Sequence, residues 1–308
     1  MAQTTSSALS AAITFKVQSL VLKNLRAGLV YADRSLAQEG TFNGGFDTLT
    51  FVNVPDIALN VTPLTEGTKP ASKALSIGTV TVSTAQYGDL VSITDIAKVK
   101  SPIEIVQIAG ERLSRQAAEF IDQICRDVIA VSGTAKYLGV GVPTTRAAIA
   151  ATDLLRSTDL RKLRASMVKG KVPMPDDGYY RLAVHPNVAY DLRTDTTTGG
   201  WVDVNKYATP ETLLKGEIGR MDGFRISEVV NAPTVSSTVT VYLSIATGAV
   251  KAWGAGDLQT LSTYHVAPGG DHTDPLAQEE LLGWKVNFGL AVLSNSYYFR
   301  AETAATNV

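Results

Sequence analysis

Residues 101–133 read SPIEIVQIAGERLSRQAAEFIDQICRDVIAVSG, and the rest of the chain is arranged around them. Three signals mark the start. Ser101 can cap the orphan amides of a first turn, Pro102 suits the first helical position, and Glu104 completes a capping box. Apolar residues then recur at Val106, Ala109, Leu113, Ala117, Phe120, Ile124, Val128 and Val131, which predicts one continuous helical face. Glu111, Arg115, Glu119, Asp122 and Arg126 fall on the opposite face, with opposite charges four apart supporting the helix. Gly133 is a suitable stop. About 30 helical residues give a rod of roughly 45 Å, against a radius of gyration of roughly 19 Å for a compact chain of this size. Alone, such a helix also fits the core of an α/β enzyme. Its flanks weigh against that.

The 308 residues suffice for one large or two modest domains. Hydrophobic residues are 45%, which excludes wholesale disorder, while charged residues are only 19%, which hints at surface covered by assembly. The formal net charge of -1 argues against a dedicated nucleic-acid binder, although a local patch can still touch DNA. The single cysteine, Cys125, sits in the long helix and is expected to pack as a small hydrophobe. No basic residue precedes Lys16, and no run approaches the roughly 20 apolar residues of a membrane span. The expectation is a soluble chain made in a reducing compartment, with no membrane partner.

In chain order, residues 1–9 are a Ser/Thr/Ala-rich tail and Ser10 to Ala37 carries an imperfect helical stripe. Thr48 to Val54 and Ile57 to Val61 alternate like strands, split by Pro55. PLTEGTKPASKALS (63–76) is a polar tip, and Thr79 to Gln86 returns as a strand, followed by Leu90 to Ile93. This is a hairpin of about 45 residues, too thin in apolar content to carry its own core; a hairpin alone is marginal in water. Another subunit is the economical support. Beyond the long helix, Tyr137 to Pro143 is a glycine-rich link and Asp159 to Val168 a basic helix. Tyr180 to His185 is a strand, and a short helix opens at Pro186. Further strands are expected at Phe224 to Val230, Val239 to Ala246 and Ala249 to Trp253. Asp257 to Asp274 reads as irregular, and Leu281 to Arg300 as a hairpin centred on Asn287 to Gly289. The order is not the βαβα alternation of a doubly wound enzyme, and no internal repeat occurs.

Catalytic and cofactor signals are absent. GVGVP and GAGD lack the helix and Lys-Ser/Thr of phosphate-binding loops, and no G-x-S-x-G elbow occurs. His185, before Pro186, reads as a turn or core residue. Asp271, His272 and Asp274 sit in a Gly/Pro-flanked loop and do not make a convincing cation site. Asp176 and Asp177 before Gly178 read as a turn. No catalytic, cofactor or metal site is expected. Two charged groups stand out. Glu66, Lys69 and Lys73 on the hairpin tip are solubility groups or inter-subunit ion pairs. Arg161, Lys162, Arg164 and Lys169, with few acids nearby, are a solvated helix face or a patch facing DNA or an acidic partner.

This order of parts resembles the major capsid proteins of tailed bacteriophages, whose Hong Kong 97-type fold is shared with herpesviruses. The stretches that carry it are TLTFVNVPDIALNVTPLTEGT, YYRLAVHPNVAYDLR, MDGFRISEVVNAP and GWKVNFGLAVLSNSYYFRAET. The resemblance implies an α+β chain with an N-terminal arm (1–45) and an extended β-hairpin E-loop (46–94). It implies a peripheral domain (95–177) with its spine helix (101–132), and an axial domain (178–275). Residues 276–308 return to the peripheral sheet. It implies a non-enzymatic protein that forms pentamers and hexamers, closing an icosahedral shell around double-stranded DNA in the virion after assembly in the host cytoplasm. The E-loop would lie over one neighbour and the arm would clasp another, with loops near Thr194 to Gly200 and Asp257 to Asp274 at capsomer centres. Implied partners are further copies of the chain, a separate scaffolding protein or none, a portal, packaged DNA and a decoration protein. Some members cross-link an E-loop lysine to a neighbour's asparagine; Lys69 and Lys73 are available here, but no assisting carboxylate is identifiable. An encapsulin-like compartment of the same fold, or an α/β enzyme with an unrecognised site, would fit parts of the pattern.

Overall fold

In the computed structural model the described residues are 30–31, 37–41, 48–53, 57, 61–64, 66–67, 69, 71–101, 103–196, 217–249, 252–269, 274 and 276–307. In chain order they form β1 (Ala37–Thr41), β2 (Thr48–Asn53), β3 (Gly78–Ser83), β4 (Ala85–Thr94), α1 (Asp95–Lys100), α2 (Ile105–Val131) and β5 (Thr134–Tyr137). A 3-10 turn (Arg146–Ala148) precedes α3 (Ser157–Lys169), β6 (Tyr180–Val184) and α4 (Pro186–Thr194). Then follow β7 (Glu217–Met221), β8 (Phe224–Glu228), β9 (Thr234–Ser236), β10 (Thr240–Thr247), β11 (Trp253–Val266), β12 (Glu279–Val292) and β13 (Tyr298–Thr303).

The strands make three sheets among the described residues. One has four strands in the order β1-β11-β12-β4, one has seven along β5-β13-β10-β6-β8-β7 with β9 on β10, and β2 pairs only β3. β12 is the centre of the first. Its Leu282, Trp284, Val286 and Phe288 alternate inward, as a strand's period of two requires, and meet Leu113, Ala117, Ile121 and Cys125 of α2. Phe120 lies between Tyr87 and Trp284, with ring centroids 5.3 and 5.5 Å away. Leu160, Leu163 and Met167 of α3 pack with Val188 and Leu192 of α4 on one face of the seven-stranded sheet. The C-terminal end of α2 reaches that sheet too. The Tyr298 hydroxyl donates to the Ile129 carbonyl at 3.2 Å, and Arg300 donates to the carbonyls of Ala130 and Ser132, so the last turn of α2 is capped by β13. Glu302, fully buried, receives Arg146 at 2.5 and 2.8 Å and Arg300 at 2.7 Å.

The long helix differs from its sequence reading in start and in face. α2 has 27 residues and begins at Ile105. Ser101 is spent on other bonds. Its amide closes α1 on Ala97 O at 3.0 Å, and its hydroxyl turns onto the backbone of Ile103, so the Ser101/Glu104 capping box does not form. Pro102 lies outside the described residues. α1 itself was not foreseen; Thr94 caps it by accepting from Ala97 N at 3.4 Å. Along α2 the buried line is Leu113, Ala117, Ile121, Cys125 and Ile129, not Phe120, Ile124, Val128 and Val131. Steps of four turn the line by about 40° each relative to the helix. The winding line faces the four-stranded sheet first and Tyr298 of the other sheet last. It carries Asp122 inward as well: this carboxylate, read from sequence as surface, is buried and accepts from Val30 N at 2.9 Å and Tyr31 N at 2.7 Å.

Other expectations change at the strand level. Asp257–Val266 is not irregular; it belongs to β11, whose ladder with β12 tolerates two register shifts near Gln259, the kind of bulge that breaks a visible alternation. The strand expected at Ala249 to Trp253 begins at Trp253. Asn287 to Gly289 is mid-strand in β12, and the expected hairpin does not form: after Val292 the chain leaves the four-stranded sheet and Tyr298 starts β13 in the seven-stranded one. The hairpin keeps Thr48–Asn53 against Gly78–Ser83, while β4 leaves it to pair β12; Ile57 and Val61 are not in strands. Of the helix expected over residues 10–37, Val30 and Tyr31 form a bend and turn, Ala37 starts β1, and residues 1–29 and 32–36 lie outside the described residues. Among the described residues no helix is long and apolar enough to cross a membrane.

Candidate functional site: the extended loop and its glycine seat

β2 and β3 pair in the register Leu49↔Val82 and Phe51↔Val80, so Phe51 and Val82 share one face. That face is seated. Phe51 is 7% exposed and Val82 1%, and both lie on glycines of the four-stranded sheet. A Cβ at Gly254 would stand 2.6 Å from the Phe51 ring; one at Gly289 would stand 2.6 Å from Ser83 O and 2.9 Å from Val82 Cγ1. No side chain fits at either position without moving the hairpin. Gly289 follows directly on Phe288, the last β12 residue paired with β4. The bare strand there lets β3 cross over β12 as the loop leaves the body. This is the physical meaning of the glycine that sequence alone suggested as a turn.

Beyond the seat the described residues of the loop are exposed. Val61 is 90% and Leu64 69% exposed, and Leu75 and Ile77 are exposed as well. Glu66, Lys69 and Lys73 lie on this same segment, all exposed. The structure brings these three to one stretch of loop.

Arg161, Lys162, Arg164 and Lys169 are exposed on α3, opposite Leu160, Leu163 and Met167. Lys162 pairs with Asp159 at 2.8 Å, on the inner side of the helix start. Arg161, Arg164 and Lys169 instead line an open depression with Asp222, Ala165 and Val168. Asp176 and Asp177 form a turn with Gly178, and Asp177 pairs with Arg225 at 3.2 Å. His185 caps α4: its Nδ1 accepts from Asn187 N at 3.2 Å and its ring lies 4.8 Å from that of Tyr242. Burial lowers its pKa, with Glu228 opposing. Asp271 and His272 lie outside the described residues, and Asp274 accepts from Glu279 N at 2.8 Å. Among the described residues no group of acidic, histidine and cysteine side chains is arranged for a metal.

Sequence reasoning missed one cluster at the root of the loop strand. Glu280 is 3% exposed, is bonded by Lys98 of α1, and lies 2.6 Å from His265 Nε2. Burial alone would raise its pKa; the bonds and charges of Lys98 and His265 prevail and hold it below the ordinary carboxylate value. The three residues are 182 and 15 positions apart, and no local pattern links them.

The described residues thus combine a long helix laid across one sheet with a two-stranded hairpin seated on that sheet. A family model described as phage capsid protein matches residues 78–298, well over half of the chain. The chain belongs to this phage capsid protein family. Solved structures agree on the fold. The capsid of cyanophage P-SCSP1u matches at 17% identity over 91% of this chain and 89% of that one, with a TM-score of 0.67. The capsid of Ralstonia phage GP4 matches at 15% over 91% and 90%, TM-score 0.68. The cyanophage Pam1 capsid matches at 15% over 92% and 93%, TM-score 0.67. No curated protein sequence matches. The fold is the Hong Kong 97-type capsid fold, and the protein is a tailed-phage major capsid protein: a structural component of the virion shell.

Proposed function

We propose that copies of this chain assemble as pentamers and hexamers into an icosahedral shell that encloses phage double-stranded DNA, without enzymatic activity. The observation that carries the reading is the loop, seated at Phe51 and Val82 yet exposing Val61, Leu64, Leu75 and Ile77. Exposed apolar side chains on a projecting two-stranded hairpin need a cover, and a neighbouring copy supplies one in a shell. In this reading residues 1–45 are an arm clasping another subunit and 46–94 the loop. Residues 95–177 and 276–308 belong to a peripheral domain, and 178–275 to an axial one. In this reading the stretches near Thr194 to Gly200 and Asp257 to Asp274 meet at the capsomer centre; residues 197–200 and 270–273 lie outside the described residues. Glu66, Lys69 and Lys73 then sit at inter-subunit contacts, where each exposed ion pair adds about 0–1 kcal/mol, repeated around the shell. A scaffolding protein, a portal and a decoration protein are the assembly partners, and assembly takes place in the host cytoplasm.

The test is electron microscopy of particles from cells making the chain with its assembly partners, followed by nuclease treatment and analysis of the contents. Closed shells holding nuclease-protected DNA are expected. Shells that hold only a protein cargo would favour an encapsulin-like compartment, and a chain that stays monomeric in that lysate would end the shell reading.

A further inference from the structure

The basic face of α3 is built, not merely solvated. The β7–β8 hairpin closes through Asp222 and Gly223, at φ 46° and 81°, the left-handed pair of a tight two-residue turn. This turn lies against α3 and holds two arginines. Asp222 Oδ1 accepts from Arg161 Nε at 3.3 Å. Gly223 carries Arg164: a Cβ there would stand 2.8 Å from its Nε and 2.9 Å from its guanidinium carbon. The left-handed backbone angle favours glycine here, and the Arg164 guanidinium lies over its bare Cα. Lys169 stands eight residues beyond Arg161, roughly 12 Å along the helix. Among the described residues that line this depression, one carboxylate faces three cations. In a chain with 28 basic and 29 acidic residues this is a local concentration that the net charge conceals.

We propose that this corner, Arg161, Arg164 and Lys169 over the Asp222-Gly223 turn, is a contact surface for the phosphate backbone of the enclosed DNA. The inference rests on the reading that the shell encloses DNA. Planar guanidiniums suit phosphate oxygens because their forked N–H donors can bond two oxygens at once. The span from Arg161 to Lys169 is close to the width of a DNA major groove, about 12 Å, so the two ends can reach phosphates on separate strands. Such contacts neutralise phosphate without reading sequence, as a shell indifferent to its genome's sequence needs. The depression is wide open to solvent, which suits an extended polyanion.

The experiment measures binding of the full-length chain to a random 30-base-pair duplex by fluorescence anisotropy across a salt series, with polyglutamate as a second probe. Three chains are compared: wild type, R161Q/R164Q/K169Q, and R112Q/R115Q as a control on the exposed face of α2. Each lost phosphate contact lowers the magnitude of the log K against log salt slope by about 0.9. The triple variant is expected to lose about 2 to 3 in slope and to bind at least tenfold more weakly, with the control unchanged. Gly223→Ala keeps every charge; it is expected to weaken binding several-fold with its slope intact. An unchanged slope in the triple variant, or polyglutamate binding as tightly as DNA with the same sensitivity, would overturn the proposal. Particle formation separates this from the shell reading. The triple variant is expected to form normal shells that retain DNA less well. Loss of shells with DNA binding intact would make the corner a subunit interface and overturn the assignment.

Discussion

The two ends of the β2–β3 hairpin contrast sharply. At its base Phe51 and Val82 are buried on Gly254 and Gly289, a contact completed within one subunit. At its tip Val61, Leu64, Leu75 and Ile77 face solvent, and no other described residue covers them. The base sets where the loop points; the tip awaits what it points at. Apolar side chains left exposed at such a tip are suited to burial against another copy in a shell.

The contrast breaks most readily at the base. Phe51→Ala is expected to lower subunit stability by about 3–5 kcal/mol, read as a fall in the urea midpoint, because it empties a filled seat. Gly289→Val, which drives a side chain into Ser83 O and Val82, is expected to leave the body folded by circular dichroism but to misdirect the loop and abolish normal particles. Normal shells from that variant would show that loop direction does not matter. Next in size is the joint between the first described residues and α2. Asp122→Ala leaves the amides of Val30 and Tyr31 without their acceptor, at a cost of about 1–3 kcal/mol in thermal unfolding.

Acid sharpens the comparison from the root of the loop strand. The pKa of Glu280 is held below its ordinary value, so its charged form favours the fold. That contribution is fully present above the unfolded carboxylate pKa of about 4.3 and is lost as pH falls through the lower folded value. Glu280→Gln should flatten the acid limb of a stability–pH curve below about pH 4, and an unchanged limb would show that other groups dominate. The His185 pKa is also lowered, so its neutral form favours the fold, and stability should begin to fall as pH drops below about 6.5. The smallest subunit effect belongs to the tip. Leu64→Ser is expected to change subunit stability by no more than about 0.5 kcal/mol while lowering shell yield. Equal losses in both measurements would erase the distinction between base and tip.

Much of this was legible in the sequence because it is local. The apolar period of α2, the Leu160, Leu163 and Met167 face of α3, and Pro186 at the start of α4 each follow from spacing within a few residues. The tip charges and the basic helix were equally visible. What escaped depends on distant partners. Ser101 looked like the cap of α2 because nothing near it announced that its groups were already engaged. Asp122 looked like surface because the amides it accepts are about ninety residues away. Gly289 looked like a turn because its actual constraint, the approach of Ser83 and Val82, comes from another strand. β11 looked irregular because its bulges spoil alternation while its partner strand holds it. The Arg164 seat was hidden for the same reason, being made by a turn fifty-odd residues downstream.

The most direct test of the central claim compares sedimentation velocity of the full chain with that of a chain lacking residues 63–76, each measured in lysate with its assembly partners present. The full chain is predicted to sediment as capsomers or closed shells. The deleted chain is predicted to sediment as single subunits with an unchanged thermal unfolding curve. Shells of normal size from the deleted chain would contradict the account, because the exposed tip would then hold nothing together.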